Sequence, residues 1–196
     1  MDDLAWPIPA VPEGCIPLPV AGACLQPLAV RDAVGGPVLH FLRPGNPLRP
    51  DALTGPGDAG ALRVGEVYFS EVAAGAVKGW KRHVRQTQFF AVPFGRLRLA
   101  LYDARPASPT CGAGCRVILG RPGDYALLRV PVGVWYAFGS LDGAPALLCN
   151  GADIPHDPEE GRRLPLDTPE IPYAWEERGE ADGRPGAATV NEAFPL

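Results

Sequence analysis

Between residues 28 and 149 the chain breaks into about ten short β-rich runs, most of them separated by glycine or proline turns. The runs lie at 28–30, 37–42, 64–72, 77–84, 87–92, 96–103, 116–119, 125–131, 134–138 and 146–149. Pro44-Gly-Asn46, Gly55-Pro-Gly57, Pro93-Phe-Gly95, Arg121-Pro-Gly123 and Asp142-Gly143 punctuate them. No stretch before residue 150 carries three turns of helical periodicity. The 24 glycines and 24 prolines therefore read as turns and arms rather than disorder. A chain of 196 residues is long enough for one real core. These features predict an all-β fold, either a sandwich or a jelly-roll barrel. Residues 1–25, rich in proline and small side chains, read as an extended N-terminal arm, and 26–176 as the domain. Residues 177–196 read as a loose tail, with a short helix or turn near 157–161.

Charge is distributed unevenly. The chain is formally −4, yet between Val72 and Tyr102 there are six Lys/Arg, one His and no acid. The only two lysines, Lys78 and Lys81, stand together in Val77-Lys78-Gly79-Trp80-Lys81-Arg82-His83; the other sixteen basic residues are arginine. If 77–85 is a strand, Lys81, His83 and Arg85 share one face, and Trp80, Arg82 and Val84 the other. Burying such a trio in an apolar core is costly, so the segment predicts a wet cleft that attracts an anionic ligand. Gln86 and Gln88 lie beside it. A short basic run in a chain of pI near 5.4 does not predict nucleic-acid binding. No apolar run approaches membrane-spanning length. With no signal-like start, a cytoplasmic location is expected. Cys15, Cys24, Cys111, Cys115 and Cys149 are odd in number and irregular in spacing, which predicts no disulfide framework.

Four segments in order resemble the dTDP-4-dehydrorhamnose 3,5-epimerase family over roughly residues 28–176. Asp103-Ala-Arg105-Pro-Ala-Ser108-Pro109-Thr110-Cys-Gly112 is similar to that family's DLR-x-x-SPTFG. Val130-Pro131-Val-Gly133-Val-Trp135-Tyr136-Ala-Phe138 is similar to its IPPGFAHGF, and 77–81 to its LRGLH. Leu148-Cys149, Asp157-Pro158-Glu159, Leu166-Asp167-Thr-Pro169 and Trp175 follow its closing motifs. The resemblance implies a cupin-type jelly-roll barrel, a homodimer whose strands exchange, and a nucleotide-diphosphate sugar in the barrel mouth.

It also implies an altered acid/base set. Lys81 stands where the family has its proton-abstracting histidine, and Asp167 where it has the aspartate orienting that base. The stretch 150–156 after Cys149 holds no tyrosine, Gln88 replaces a family lysine, and Tyr136 replaces a histidine. Lys81 is read either as a base, with a pKa lowered by desolvation and neighbouring cations, or as a point charge on a diphosphate. His83 is the second candidate base; Tyr136 and His156 are the candidate acids. Lys78, which matches a phosphate-contacting arginine, is expected to bind substrate with Arg85, Gln86 and Gln88, and Trp135 to form a stacking wall. A metal cupin needs three or four converging ligands; Lys81-x-His83 with Tyr136 does not supply them. Neither metal nor cofactor is expected. The reading is an epimerase or isomerase of a nucleotide-linked 4-keto-6-deoxyhexose, with a non-catalytic sugar-binding cupin as the alternative.

Overall fold

A computed structural model describes residues 6–43, 48, 64–175 and 190–194. The expected turns at 44–46 and 55–57, and most of the expected tail, lie outside the described residues. Fourteen strands and no helix are found among the residues described: β1 (Ile16–Pro17), β2 (Cys24–Pro27), β3 (Val30–Arg31), β4 (Val38–Leu39), β5 (Glu66–Val72), β6 (Val77–His83) and β7 (Gln88–Phe94), then β8 (Arg96–Asp103), β9 (Gly114–Gly120), β10 (Ala126–Val130), β11 (Val134–Ser140), β12 (Ala146–Ala152), β13 (Gly161–Arg163) and β14 (Val190–Phe194).

Two six-stranded antiparallel sheets form the body. One runs β1-β2-β10-β7-β12-β5 and the other β13-β6-β11-β8-β9-β14, while β3 and β4 form a separate ribbon. This is the jelly roll expected of a cupin. The pleat sends alternate side chains between the sheets. Leu97, Leu99 and Leu101 of β8, Val117 and Leu119 of β9, and Leu128 and Val130 of β10 fill one part of that interior with aliphatic groups.

The outer faces are covered as well, which is why the central strands read as nearly continuous apolar runs. Phe89, Ala91 and Leu127 lie under Leu28, Phe41, Leu42 and Leu48. Trp80, Ala100, Trp135 and Ala137 lie under Ile171, Tyr173 and Trp175.

Two local expectations change. Residues 16–27, read mostly as arm, supply β1 and β2, and Leu18, Val20, Ala23 and Leu25 are buried in the main core. Of the helix or turn expected at 157–161, the structure has the turn, leading into β13. Within the expected tail, β14 pairs with β9.

The motif at 103–112 is a polar knot. Asp103, fully buried, accepts hydrogen bonds from Arg105 Nε (2.8 Å) and Nη2 (2.7 Å), Ser108 Oγ (2.6 Å) and Thr110 Oγ1 (2.6 Å). Arg105 Nη2 also donates to the Ala21 carbonyl, and Thr110 Oγ1 accepts the Ala21 amide, so the knot ties the N-terminal segment to the barrel. These bonds hold the Asp103 carboxyl below its ordinary pKa even though burial opposes its charge. Removing one member strands a buried charge. Asp103→Ala is expected to cost about 3–5 kcal/mol, measured by urea unfolding at pH 7.

Candidate active site

The cavity lies between the sheets, where β5, β6, β11 and β13 meet. Its volume is about 640 Å³. Lys78, Lys81 and Arg163 line it with Tyr68, Ser70 and Tyr136, and Phe90, Phe138, Leu148, Leu164 and Leu166 supply apolar wall. None of these lining residues is acidic.

A bulge in β6 gathers the lysines. Tyr136 of β11 stands opposite Lys81, but Phe138 stands opposite Lys78, so β6 carries one extra residue between those pairs. Strict alternation would put Lys78 and Lys81, three apart, on opposite faces. With the extra residue both share the face of Tyr136 and Phe138. Arg163 of β13 pairs with Lys81 from the other side. Lys78 Nζ donates to Ser70 Oγ of the facing sheet at 2.7 Å. Lys81 is half-buried; desolvation first, and the Arg163 charge second, lower its pKa.

Behind Tyr136 runs a buried proton array. His83, 5% exposed, donates from Nδ1 to Glu160 Oε2, and its Nε2 accepts the Tyr136 hydroxyl at 3.0 Å. Glu160 Oε1 accepts the backbone amides of Arg85 (2.7 Å) and Gln86 (2.8 Å). Those two N–H donors and the lowered Glu160 pKa favour a carboxylate, which only accepts, and this assigns the His83 proton to Nδ1 and leaves Nε2 as an acceptor. Burial opposes the Glu160 charge, but those amides and His83 hold its pKa below the usual range. Burial lowers the pKa of His83, with Lys81 acting the same way against the Glu160 hydrogen bond. Burial pushes the Tyr136 phenol well up. The Pro131–Gly133 turn registers the array: Gly133 adopts φ +82° and its amide donates to the His83 carbonyl at 2.8 Å.

A second network starts from the same dipeptide. Gln86 Nε2 donates to the Ile154 carbonyl at 2.7 Å, and Gln88 Nε2 donates to Gln86 Oε1 at 2.7 Å. Asn150 Nδ2 then donates to Gln88 Oε1 and to Tyr68 Oη, the latter at 2.7 Å.

The structure sorts the sequence candidates. Lys78, Lys81 and Tyr136 line the cavity, and His83 stands directly behind Tyr136. Gln86 and Gln88 are buried in the second network. Arg85 gives its amide to Glu160, while its side chain is 61% exposed and ion-paired with Asp157, outside the cavity. Trp135, expected as a stacking wall, points to the outer face, where the Arg82 guanidinium lies 4.7 Å from its ring centroid. One residue of pleat separates it from Tyr136. His156 is exposed on a loop, and Asp167 is exposed just past Leu166; neither lines the cavity. The carboxylate that meets a candidate base is Glu160, which contacts His83; Asp167 has no such contact with Lys81 among the described residues. Sequence reasoning missed Glu160, Arg163 and Tyr68. Among the described residues no cluster of His, Cys, Asp or Glu is arranged to hold a metal ion, and no helix is long and apolar enough to cross a membrane.

The barrel, the cationic cavity and the buried array define a cupin with an anion-attracting pocket. No family model matches the chain. A dTDP sugar isomerase from Desulfovibrio desulfuricans is 46% identical, with 84% of this chain and 97% of that one covered at a TM-score of 0.74. The Haloferax volcanii protein named probable low-salt glycan biosynthesis epimerase Agl13 is 33% identical over 111 residues, 55% of this chain and 70% of that protein. A Legionella pneumophila dTDP-6-deoxy-D-glucose 3,5-epimerase, solved with dTDP-4-keto-L-rhamnose, shares the fold at 21% identity and a TM-score of 0.68, over 85% of this chain and 84% of that one. The chain belongs to the family of dTDP-sugar epimerases and isomerases.

The lowered pKa of His83 sets an acid limit on stability. The unfolded chain takes a proton on this histidine near its usual value of about 6.5, whereas the folded state resists it. The stabilisation is therefore present above about pH 6.5 and is lost as acid is added below it. Glu160, held low in the fold, adds a further loss below the ordinary carboxylate range. Urea midpoints of the wild type are expected to fall between about pH 6.5 and 5, and those of His83→Gln to fall less.

Proposed function

We propose that the chain binds a dTDP-linked 4-keto sugar and moves a proton at the carbon beside the ketone, epimerising or isomerising the sugar. The observation that carries this reading is a cavity with three cations and no acid in its lining, backed by a buried carboxylate–imidazole–phenol array. Like charges facing a low-dielectric space are relieved by an anion. Lys78 and Arg163 supply that relief to a diphosphate. Lys81, directly opposite Tyr136 on the neighbouring strand, stabilises the enolate oxygen that forms as the proton leaves.

Tyr136 takes the substrate proton on its phenolic oxygen while its own hydroxyl proton passes to His83 Nε2. The imidazolium so formed lies against the Glu160 carboxylate. Tyr136 is itself never left as a phenolate, which its raised pKa would make costly. The Legionella protein's complex with a 4-keto sugar supports the substrate class.

Two finer points belong to this reading. The protein is a homodimer, a proposal supported by exposed Val67, Phe69 and Phe94 on the outer face of the first sheet. It works in the cytoplasm, in keeping with five free cysteines.

In heavy water with dTDP-4-keto-6-deoxyglucose, the wild-type protein is expected to bring deuterium into the sugar beside the ketone, read by NMR. Tyr136→Phe is expected to slow that exchange by about 10²-fold or more. Lys78→Ala is expected to weaken dTDP binding by about tenfold or more, measured by calorimetry. Binding with no exchange in the wild type would instead favour a sugar-binding cupin.

A further inference from the structure

The two tyrosines of the cavity are wired in opposite senses. Tyr136, on β11, spends its hydroxyl proton on His83. Tyr68, on the inner face of β5, makes its one hydrogen bond among the described residues as an acceptor, from Asn150 Nδ2. The sense of that bond is set four groups away. The Ile154 carbonyl can only accept, so the amide nitrogen of Gln86 faces it and Gln86 Oε1 faces Gln88. Gln88 must then donate to Gln86 and accept from Asn150, which leaves the Asn150 nitrogen between Gln88 Oε1 and Tyr68 Oη. Asn150 Oδ1 is buried and has no partner among the described residues. Every amide in the chain is thereby oriented without an arbitrary flip. The Tyr68 hydroxyl proton has no acceptor among the described residues and points to the cavity that Tyr68 lines.

From this polarity we infer that Tyr68 is a further catalytic residue, the proton donor that faces the substrate from the wall opposite Tyr136. The inference rests on the proton-transfer reading above and narrows it. The Tyr136–His83–Glu160 array removes a proton from one side of the sugar ring. Tyr68 returns a different proton to the same carbon from the other side, which inverts that centre. In balance, the C–H bond breaks towards Tyr136 Oη, the electron pair rests on the enolate oxygen beside Lys81, and a new C–H bond forms with the Tyr68 hydroxyl proton. Tyr68 is left as a phenolate and His83 as an imidazolium. Water re-protonates the first and deprotonates the second after the product leaves. The device is that of an epimerase with two protonic groups, and it does not need the tyrosine that the related family carries after its Cys.

The test is Tyr68→Phe beside Tyr136→Phe and the wild type, each incubated with dTDP-4-keto-6-deoxyglucose in heavy water. NMR reads deuterium in the starting sugar and in the inverted product separately. For the wild type, inverted product carrying deuterium is expected. For Tyr68→Phe, inversion is expected to fall about 10²-fold or more, while deuterium still enters the uninverted sugar, because the abstracting side is intact. That residual exchange also shows that the variant is folded with its cavity formed. Tyr136→Phe is expected to lose both. Inversion by Tyr68→Phe within about threefold of wild type overturns the assignment and leaves the proposed function standing. So does wild-type exchange that yields only keto-group migration without inversion. No exchange by the wild type overturns both.

Discussion

The Glu160 carboxylate is the fixed point on which the site depends. Hydrogen bonds to a charged group are worth roughly 1.5–3 kcal/mol each, and Glu160 has two from backbone amides that cannot rotate away and a third from His83. A carboxylate so held at 3% exposure dictates the histidine tautomer, and the tautomer dictates which way the Tyr136 proton points. The direction of proton flow is thus set by peptide groups at 85 and 86, behind the cavity wall. Gln86 also opens the network to Tyr68, whose sense is set by another peptide group, the Ile154 carbonyl. One short connection between β6 and β7 therefore orients both hydroxyls.

Around this polarity the barrel keeps three cations without an acid among the cavity-lining residues. That arrangement costs stability when empty, because Arg163 and Lys81 repel each other and Lys81 is partly desolvated. Aliphatic packing of β8, β9 and β10 at the other part of the interior provides the rigid frame that tolerates it. The Asp103 knot, which resembles a family signature most closely, contributes no group to the cavity. Its chemistry is structural, a buried carboxylate closing a loop and holding the N-terminal segment.

The fold was legible because turn punctuation and strand length are local properties. Residues 16–27 escaped because proline and small residues mask strand character, and β2 is fixed by pairing with β10, far along the chain. The face shared by Lys81 and His83 was legible from alternation, but Lys78 joins them only through a bulge that no local pattern announces. Trp135 was misplaced although the signal was present: if Tyr136 points inward, its neighbour must point outward. Glu160 was hidden because its partners are backbone amides, which leave no side-chain motif. Tyr68 was hidden because its role follows from the sense of hydrogen bonds across four residues, a property of the assembled barrel.

The central claim is that His83 rests as the neutral Nδ1–H tautomer, with Nε2 open to the Tyr136 hydroxyl. Long-range ¹H–¹⁵N NMR of the ¹⁵N-histidine-labelled protein at pH 7.5 reads this directly. The account predicts a protonated Nδ1 and an acceptor-type Nε2 for His83. A protonated Nε2 with a bare Nδ1, or a fully charged ring at that pH, would contradict it.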